Sequence, residues 1–369
     1  MQALWSNIVQ YSLIFSVSGL LFYFLYFFKK LIDFKPQINT ETPPVSVIIC
    51  AKNELVNLKS FLPFTLNQAY KDFEVIVVVD HSKDGSYEYL TKVAKSNPRL
   101  RVFQFEEKKV SDGKKDALQF GINQASHEHL LLTDADCHPT SIHWIKHMAS
   151  GFSDENQLVL GIGTYKSSGN KLLSTIIQWD SLMVAIQYLS YALQGNTYMS
   201  VGRNVAYTKS LFYAVSGFNS HMDISSGDDD LFVQEVKGNT KASIIINPSA
   251  HTQSVSCESW QSYLKQKSRH FTTSSKYPPS TLLLLGFYQL CTVIYYVSII
   301  GSLFVHSSIA LLLTMFLIKN FVQASVFRRI FFKIGVRVQL IPFLFFDIFW
   351  VALLTFVNIK RIISPSSKW

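Results

Sequence analysis

The sequence is poor in cysteine and lacks two common nucleotide-binding motifs. Four cysteines are scattered over 369 residues without a CxxC pair, which argues against a disulfide framework or a zinc site. A main domain in a reducing, cytoplasmic compartment fits this composition best. No GxxxxGK[ST] stretch is present and no GxGxxG follows the first predicted strand, so the P-loop and dinucleotide-binding signatures are both missing.

Charged residues are also missing from a long stretch near the N-terminus. From Ile8 to Phe28 the chain carries no charge and has roughly the 20 residues that span a bilayer. Lys29 and Lys30 follow this stretch, whereas a secretory signal peptide has its basic residues before the apolar core. By the positive-inside rule, residues 1–35 are predicted to be an uncleaved anchor whose carboxyl end faces the cytoplasm.

A second apolar region covers residues 281–369. Its first part is long enough for two spans with a turn at 306–307. The last segment is either a further span, which would put Lys360 and Arg361 on the outer side, or a re-entrant or interfacial helix. Lys319 and Asp347 lie inside apolar stretches, and intramembrane charges of opposite sign usually pair or line a polar cavity. We therefore expect a multi-pass membrane protein in which these two residues either form an ion pair or line a polar cavity.

The middle of the chain, residues 36–280, has the pattern of a soluble α/β domain. Buried strands are predicted at VSVIIC, FEVIVVVD, RVFQFE and LLLTDAD, and stretches with helical spacing separate them. Alternation of this kind predicts a mostly parallel sheet with right-handed crossovers. Binding sites in such sheets lie at the carboxyl ends of the strands.

Polar residues follow each of these strands. Asp80 and Asp84 could be turn formers or helix caps, and Asp134 and Asp136 could cap a helix beginning near Thr140. Capping does not readily explain why the polar clusters all fall at one edge of a sheet. Two carboxylates one residue apart can instead share a hard divalent cation, which bridges phosphate oxygens and neutralises a leaving diphosphate.

Seven motifs in this region resemble glycosyltransferase family 2 in their order and approximate spacing. They are PPVSVIICAKNE, VVVDHSKDGS, GKKDAL, TDADC, GRNVAYTKSLF, SGDDDLF and QKSRHF. The resemblance implies a GT-A fold and inverting sugar transfer, as in the membrane-bound branch that contains cellulose, chitin and hyaluronan synthases and ceramide glucosyltransferase. It implies a donor half at about 43–140 and an acceptor half at about 141–280.

On the donor side, the resemblance assigns each motif a role. Ala51 and Glu54 correspond to contacts with the base and ribose, and Lys114 to the GK lysine near the nucleotide. Asp80 is similar to one of the paired aspartates that follow the second strand in many relatives. Asp134 and Asp136 of the motif TDADC correspond to the DxD pair that binds Mg²⁺ or Mn²⁺, with Asp136 as the more direct ligand. A UDP-sugar is the family's commonest donor.

On the acceptor side, the resemblance implies a general base, because a sugar hydroxyl must lose its proton as it attacks. Asp229 is the first choice and Asp228 the second, since the alignment of the acidic run can shift by one residue. A solvated helix start is the structural alternative. Gln266 and Arg269 belong to a motif like QxxRW, in which the arginine faces the diphosphate. His270 stands in place of the tryptophan, which puts processive synthesis in doubt.

The predicted function is inverting transfer of a sugar from a nucleotide-sugar to a lipid or glycan acceptor at the membrane, with no nucleic-acid partner. A polyprenyl-phosphate glycosyltransferase and a non-catalytic scaffold that keeps the fold remain as alternatives. The apolar segment 172–194 is either a core helix or an interfacial helix. His251 is either a metal ligand or, as we favour, an ordinary loop residue.

Overall fold

The computed structural model describes residues 2–36, 39, 41–111, 113–167, 169–305, 308–336 and 340–363. The chain divides into two compact units. One combines the N-terminal residues up to Phe34 with the described residues from Tyr277 to Ile363, and the other contains the described residues of Lys35–Lys276. The turn predicted at 306–307 lies outside the described residues.

The N-terminal segment is one nearly continuous helix. Helix α1 (Gln2–Phe22) continues through a π-helical stretch, Tyr23–Phe28, into α2 (Lys29–Asp33). Together they extend over 32 residues with a mean hydropathy of 1.8 in their most apolar part, long and apolar enough to cross a membrane.

The second unit alternates strands and helices, as the sequence predicts. Its first half contains β1 (Val45–Ala51), α3 (Leu55–Leu66), β2 (Phe73–Asp80), α4 (Ser86–Ala94), β3 (Leu100–Phe105), α5 (Lys115–Gln124), β4 (His129–Asp134), β5 (Cys137–Pro139) and α6 (Trp144–Ala149). All four predicted strands are present. Every residue of β2 is buried, as a β-branched run inside a covered parallel sheet requires.

The second half of this unit has shorter strands. It contains β6 (Leu158–Leu160), β7 (Gly163–Lys166), α7 (Lys171–Ala192), β8 (Val205–Thr208), α8 (Lys209–Ala214), α9 (Asp230–Val236), β9 (Ala242–Ile244), β10 (Thr252–Val255) and α10 (Trp260–His270). Three short 3₁₀ turns, Asn219–His221, Pro248–Ala250 and Ser274–Lys276, complete it.

Two sheets organise this unit into a GT-A-like α/β fold. The main sheet has seven strands in the order β3-β2-β1-β4-β8-β6-β9, and the small sheet has the order β5-β10-β7. Neighbouring strands of the main sheet run parallel except at β8, which is antiparallel to both β4 and β6. The sheet is therefore mostly parallel, as predicted.

Helix α7 is a core helix, which settles the alternative that the sequence left open. Its length and hydropathy also suit a membrane span, but 72% of its apolar window is buried inside the protein. The large side chains Trp179, Tyr188 and Tyr191 are all buried. Burial of these aromatic rings leaves α7 without a broad apolar face for a membrane surface.

Three C-terminal helices follow: α11 (Pro279–Gly301), α12 (Ile309–Lys333) and α13 (Leu340–Ile363). Helices α11 and α12 are long and apolar enough to cross a membrane. In α13 the stretch Phe346–Val357 is a shorter apolar segment. Whether the last segment spans therefore stays a prediction.

The predicted pairing of Lys319 with Asp347 is confirmed. The Lys319 ammonium lies 2.6 Å from an Asp347 carboxylate oxygen, and both side chains are almost fully buried. The Tyr296 hydroxyl donates to the other carboxylate oxygen, and the Gln323 amide lies 3.5 Å from the first. This network joins α11, α12 and α13 through polar contacts that would be costly to leave unmade in an apolar environment.

We expect Lys319→Met to destabilise the helical unit by about 3 kcal/mol or more, because it leaves the Asp347 carboxylate buried without a counterion. The double variant Lys319→Met/Asp347→Asn should recover most of that loss, since no net charge is then buried. Thermal unfolding of the full chain in detergent measures both. Equal stability of the single variant and the wild type would contradict the structural role of the pair.

Candidate active site

Polar side chains collect at the carboxyl edge of the parallel strands. Strand β1 pairs in parallel with both β2 and β4, so Cys50 lies opposite Val78 on one side and Asp134 on the other. The strand ends Ala51, Asp80 and Asp134 consequently lie at one edge of the sheet. This is the edge at which open α/β sheets bind their ligands.

One ammonium group joins two carboxylates from distant parts of the chain. Lys114, just before α5, lies 2.7 Å from an Asp134 oxygen and 3.0 Å from an Asp228 oxygen. Burial favours a raised pKa for the Asp134 carboxyl, but the Lys114 charge and hydrogen bond outweigh it and lower that pKa. Lys114 thus holds Asp134, at the end of β4, close to Asp228, the first acid of the run 228–230.

Asp136 differs from Asp134 because, among the described residues, its carboxylate has no hydrogen-bond or ion-pair partner. Desolvation by the surrounding protein, followed by repulsion from Asp134 and Glu54, raises its pKa to about 6. The site therefore holds a carboxylate that has no direct ion-pair partner in this part of the chain. The alternative that these two aspartates cap a helix beginning near Thr140 is wrong, since α6 begins only at Trp144.

The residues fit a divalent cation that completes its coordination from a substrate. Among the described residues, no group of three or more His, Cys, Asp or Glu side chains forms a metal cage. Mg²⁺ is commonly held by only one or two protein carboxylates together with phosphate oxygens and water. Asp136 and the second oxygen of Asp134 match that donor set, whereas His251 belongs to no such cluster.

The three acids of the run 228–230 have three different environments. Asp228 is paired with Lys114. Asp229 is the N-cap of α9, and its carboxylate accepts from the backbone N–H groups of Gly202, at 2.9 Å, and Asp230. Asp230 is buried and accepts from the hydroxyl of Thr273. The solvated helix start proposed as an alternative therefore does not describe this segment.

Asp229 has the electrostatic character of a base. Its burial, followed by the neighbouring charges of Asp228 and Asp230, raises its pKa to about 8. A carboxylate with a raised pKa is a stronger proton acceptor than an ordinary one, and a value near the working pH suits general-base chemistry. Asp228 has an ammonium partner instead.

Helix α10 carries Gln266, Arg269 and His270, and a buried ion pair anchors it. Lys267 lies 2.5 Å from Asp180 of α7, and both side chains are largely buried. The Arg269 charge contributes to the lowered pKa of Asp134, which places the guanidinium within electrostatic reach of the site. Desolvation and the charges of Arg269 and Lys267 lower the pKa of His270 to about 3, so its imidazole is neutral at physiological pH. Gln266 contacts the Cys257 thiol at 3.6 Å.

The remaining predicted residues are close to the site but have local partners. The Asp80 carboxylate accepts from Lys109 at 2.5 Å and contacts the His81 ring at 2.9 Å. Glu54, at the start of α3, accepts from the Asn57 amide at 2.6 Å. Ala51 is buried at the end of β1.

The sequence left Asp80 and Asp84 as possible turn formers or helix caps, and Asp84 is a helix cap. It accepts from the backbone N–H groups of Leu55 and Ser86, and so caps α3 and α4. Asp80 makes no cap of this kind among the described contacts, because Lys109 and His81 engage both of its oxygens.

Arg203 is a residue of this region that sequence reasoning missed. Its guanidinium stacks 4.2 Å from the ring centre of Tyr165 and donates to the Tyr165 hydroxyl, the Gly163 carbonyl and the Ser181 hydroxyl. Its charge acts to lower the pKa values of both Asp134 and Asp136. The available signal was the arginine of the GRNVAY motif.

The family model for glycosyl transferase family 2 matches residues 46–215. The chain carries a family 2 glycosyltransferase domain. The match includes the strand-end cluster and Arg203, and it ends before the acidic run 228–230 and helix α10. The resemblance inferred from the motifs is therefore confirmed, and the roles of the later residues remain proposals.

Curated relatives match only part of this chain. A poly-beta-1,6-N-acetyl-D-glucosamine synthase of Staphylococcus aureus is 30% identical over 121 residues, which are 32% of this chain and 28% of that protein. An uncharacterized glycosyltransferase of Haemophilus influenzae is 26% identical over 148 residues, or 40% of this chain and 42% of the relative. The chain thus spans less than half the length of either relative.

A solved structure shares the fold over nearly the whole chain. It is a mannosyltransferase from Pyrobaculum calidifontis in complex with GDP-Man and Mn²⁺, with a TM-score of 0.62 at 15% identity. The likeness covers 97% of this chain and 99% of that one. It supports the GT-A fold, and at this identity it carries no information on the substrate.

Proposed function

We propose that this protein is a membrane-bound inverting glycosyltransferase that moves a sugar from a nucleotide-diphosphate donor to a lipid or glycan acceptor. One observation carries the proposal. The Lys114 bridge from Asp134 to Asp228 brings the carboxylates at the end of β4, including the unpaired Asp136, close to the acidic run at the start of α9. This arrangement supports a single site for donor and acceptor chemistry.

On the donor side, residues of about 43–140 bind the nucleotide-sugar. Ala51 and Glu54 would contact the base and ribose, and Asp134 and Asp136 would hold Mg²⁺ or Mn²⁺. When bound, such a cation supplies positive charge to the diphosphate. Arg269 adds a second positive charge, which suits an anionic leaving group. UDP is our first choice of nucleotide, because the matched synthase is named for an N-acetylglucosamine polymer.

On the acceptor side, residues of about 141–280 remove a proton and position the hydroxyl. The acceptor oxygen attacks the anomeric carbon as its proton passes to the Asp229 carboxylate. The bond from the anomeric carbon to the diphosphate oxygen breaks, and the nucleoside diphosphate leaves with that electron pair. The raised pKa of Asp229 supports its role as the proton acceptor.

The acceptor site supports transfer of single sugars better than processive synthesis. His270 offers a small neutral imidazole where the resembling motif has an indole, so less aromatic surface is available for stacking on a growing glycan. Long apolar helices at both ends of the chain support an acceptor at the membrane surface. The catalytic domain then faces the cytoplasm, where nucleotide-sugars are made.

The function is tested by nucleotide release. Purified full-length protein in detergent is incubated with UDP- and GDP-sugars, Mn²⁺ or Mg²⁺, and either lipid-linked saccharides or polyprenyl phosphate. We expect metal-dependent release of nucleotide from at least one donor, and its loss with EDTA. The variant Asp154→Asn, which changes an exposed carboxylate in the loop after α6, should release nucleotide like the wild type.

Each result bears on a different alternative. Transfer to polyprenyl phosphate alone would favour the polyprenyl-phosphate glycosyltransferase. If calorimetry detects no metal-dependent binding of any donor, the result would favour the non-catalytic scaffold and contradict the proposal.

A further inference from the structure

The side chain of Lys114 has two partners and little freedom to move elsewhere. Its ammonium lies 2.7 Å from Asp134 and 3.0 Å from Asp228, with 20% of the side chain exposed. Gly202 closes one side of this space, because a Cβ there would lie 3.2 Å from both the ammonium and an Asp228 oxygen. A larger residue at 202 would crowd the bridge.

The backbone on both sides of the bridge is fixed. Next to Lys114, the buried ammonium of Lys115 donates to the carbonyls of His221 and Ile224. On the other side, a Cβ on Gly113 would lie only 2.0 Å from the Ser225 carbonyl oxygen, so these two loops are in close backbone contact. The loop that carries Lys114 is therefore clamped to the loop that leads into Asp228, which keeps the ammonium within reach of both carboxylates.

Asp134 has two competing cations if the proposed function is correct. An ammonium 2.7 Å away already neutralises the carboxylate that would hold the divalent ion. Asp136, one residue beyond Ala135, has no such counterion among the described residues. A divalent cation entering at Asp136 would thus meet the positive charge of Lys114, and two cations sharing one carboxylate repel each other.

We propose that Lys114 is a resident counterion that competes with the divalent cation for Asp134, and that Asp228 is the second carboxylate that draws the ammonium away. This inference rests on the proposed function, because it assumes a cation site at Asp134 and Asp136. Binding at the donor carboxylates and the charge beside the acceptor base are then coupled. When the cation takes Asp134, the Lys114 charge is left on Asp228, next to Asp229.

The test measures Mn²⁺ binding to the full-length protein in the absence of nucleotide. Electron paramagnetic resonance detects the bound Mn²⁺. Removing the ammonium in Lys114→Met should tighten Mn²⁺ binding roughly tenfold, because one unit positive charge is lost beside the site. Lys114→Gln, which keeps a polar group but no charge, should do the same. Asp228→Asn should weaken binding, because Lys114 then has only Asp134 as a partner.

The double variant Lys114→Met/Asp228→Asn separates coupling from simple addition of charges. If Asp228 acts through Lys114, the Asp228→Asn change has little further effect once the ammonium is absent, so the double variant binds Mn²⁺ like Lys114→Met. Asp154→Asn, which removes an exposed carboxylate of the same charge elsewhere on this unit, should match the wild type.

Two results would overturn the inference while leaving the proposed function intact. The first is Mn²⁺ binding that is unchanged or weaker in both Lys114 variants. The second is an Asp228→Asn effect of equal size in both backgrounds, which would mean that Asp228 acts through its own charge. If the wild type binds Mn²⁺ no better than Asp136→Asn does, the proposed cation site itself is wrong and the inference is overturned with it.

Discussion

Asp136→Asn is expected to lower the rate of sugar transfer roughly 10³-fold or more, because loss of a metal ligand removes several kcal/mol of stabilisation from the leaving diphosphate. The fold should survive. The Asp136 carboxylate has no hydrogen-bond or ion-pair partner in the described part of the chain, and an amide also relieves the repulsion from Asp134 and Glu54. The measurement is nucleotide release with the preferred donor, alongside Mn²⁺ binding and thermal unfolding.

The control is Asp154→Asn, which makes the same chemical change at an exposed surface position. Full activity of Asp136→Asn with normal Mn²⁺ dependence would exclude the donor site as assigned. Loss of activity together with a lowered unfolding temperature would instead mean that Asp136 is needed for the fold.

Asp229→Asn should reduce kcat by roughly 10²–10⁴-fold and leave the dissociation constant of the nucleotide-sugar nearly unchanged. A general base acts only when the hydroxyl attacks and needs no contact with the nucleotide. Asparagine is also a good N-cap, so α9 should remain capped. Stopped-flow or steady-state kinetics give kcat, and calorimetry gives the donor affinity.

The pH dependence of kcat is a second measure of the same assignment. Burial and the charges of Asp228 and Asp230 raise the pKa of Asp229 to about 8, and the base is active only when deprotonated. The value of kcat should therefore rise with pH, about tenfold per unit well below that pKa, and level off above it. In Asp229→Asn this rise should disappear.

Two further variants locate the base. Arg269→Ala should weaken both donor affinity and kcat, since a cation near the diphosphate acts on the ground state and on the developing charge. Asp228→Asn should keep most of the base catalysis, because Asp228 is paired with Lys114. If Asp228→Asn were inactive and Asp229→Asn nearly normal, the register would shift by one residue. Normal turnover in both would mean that the acidic run supplies no base.

Local patterns in the sequence determined much of the fold. The buried strands β1, β2 and β4 follow from runs of β-branched and leucine residues, and the polar strand ends follow from the parallel order that such alternation requires. Residues near each other in the chain are sufficient for this inference. The pairing of Lys319 with Asp347 was also predictable, because charges in apolar helices have few alternative partners.

Other features depend on contacts between residues that are far apart in the sequence. The composition of α7 suits a core or a membrane surface equally well, and only its tertiary packing buries it. Arg203 is one arginine among many until Tyr165 and Ser181 are folded around it.

The sequence alone identified the family domain and placed Asp134, Asp136, Asp228 and Asp229 in two separate motifs. Only the tertiary structure decided how those motifs meet. Lys114 bridges Asp134 and Asp228 because the loop before α5 packs against the loop before α9, and the lack of a side chain at Gly113 and Gly202 permits that approach. Electrostatic coupling depends on distance through space, which the order of residues along a chain does not specify.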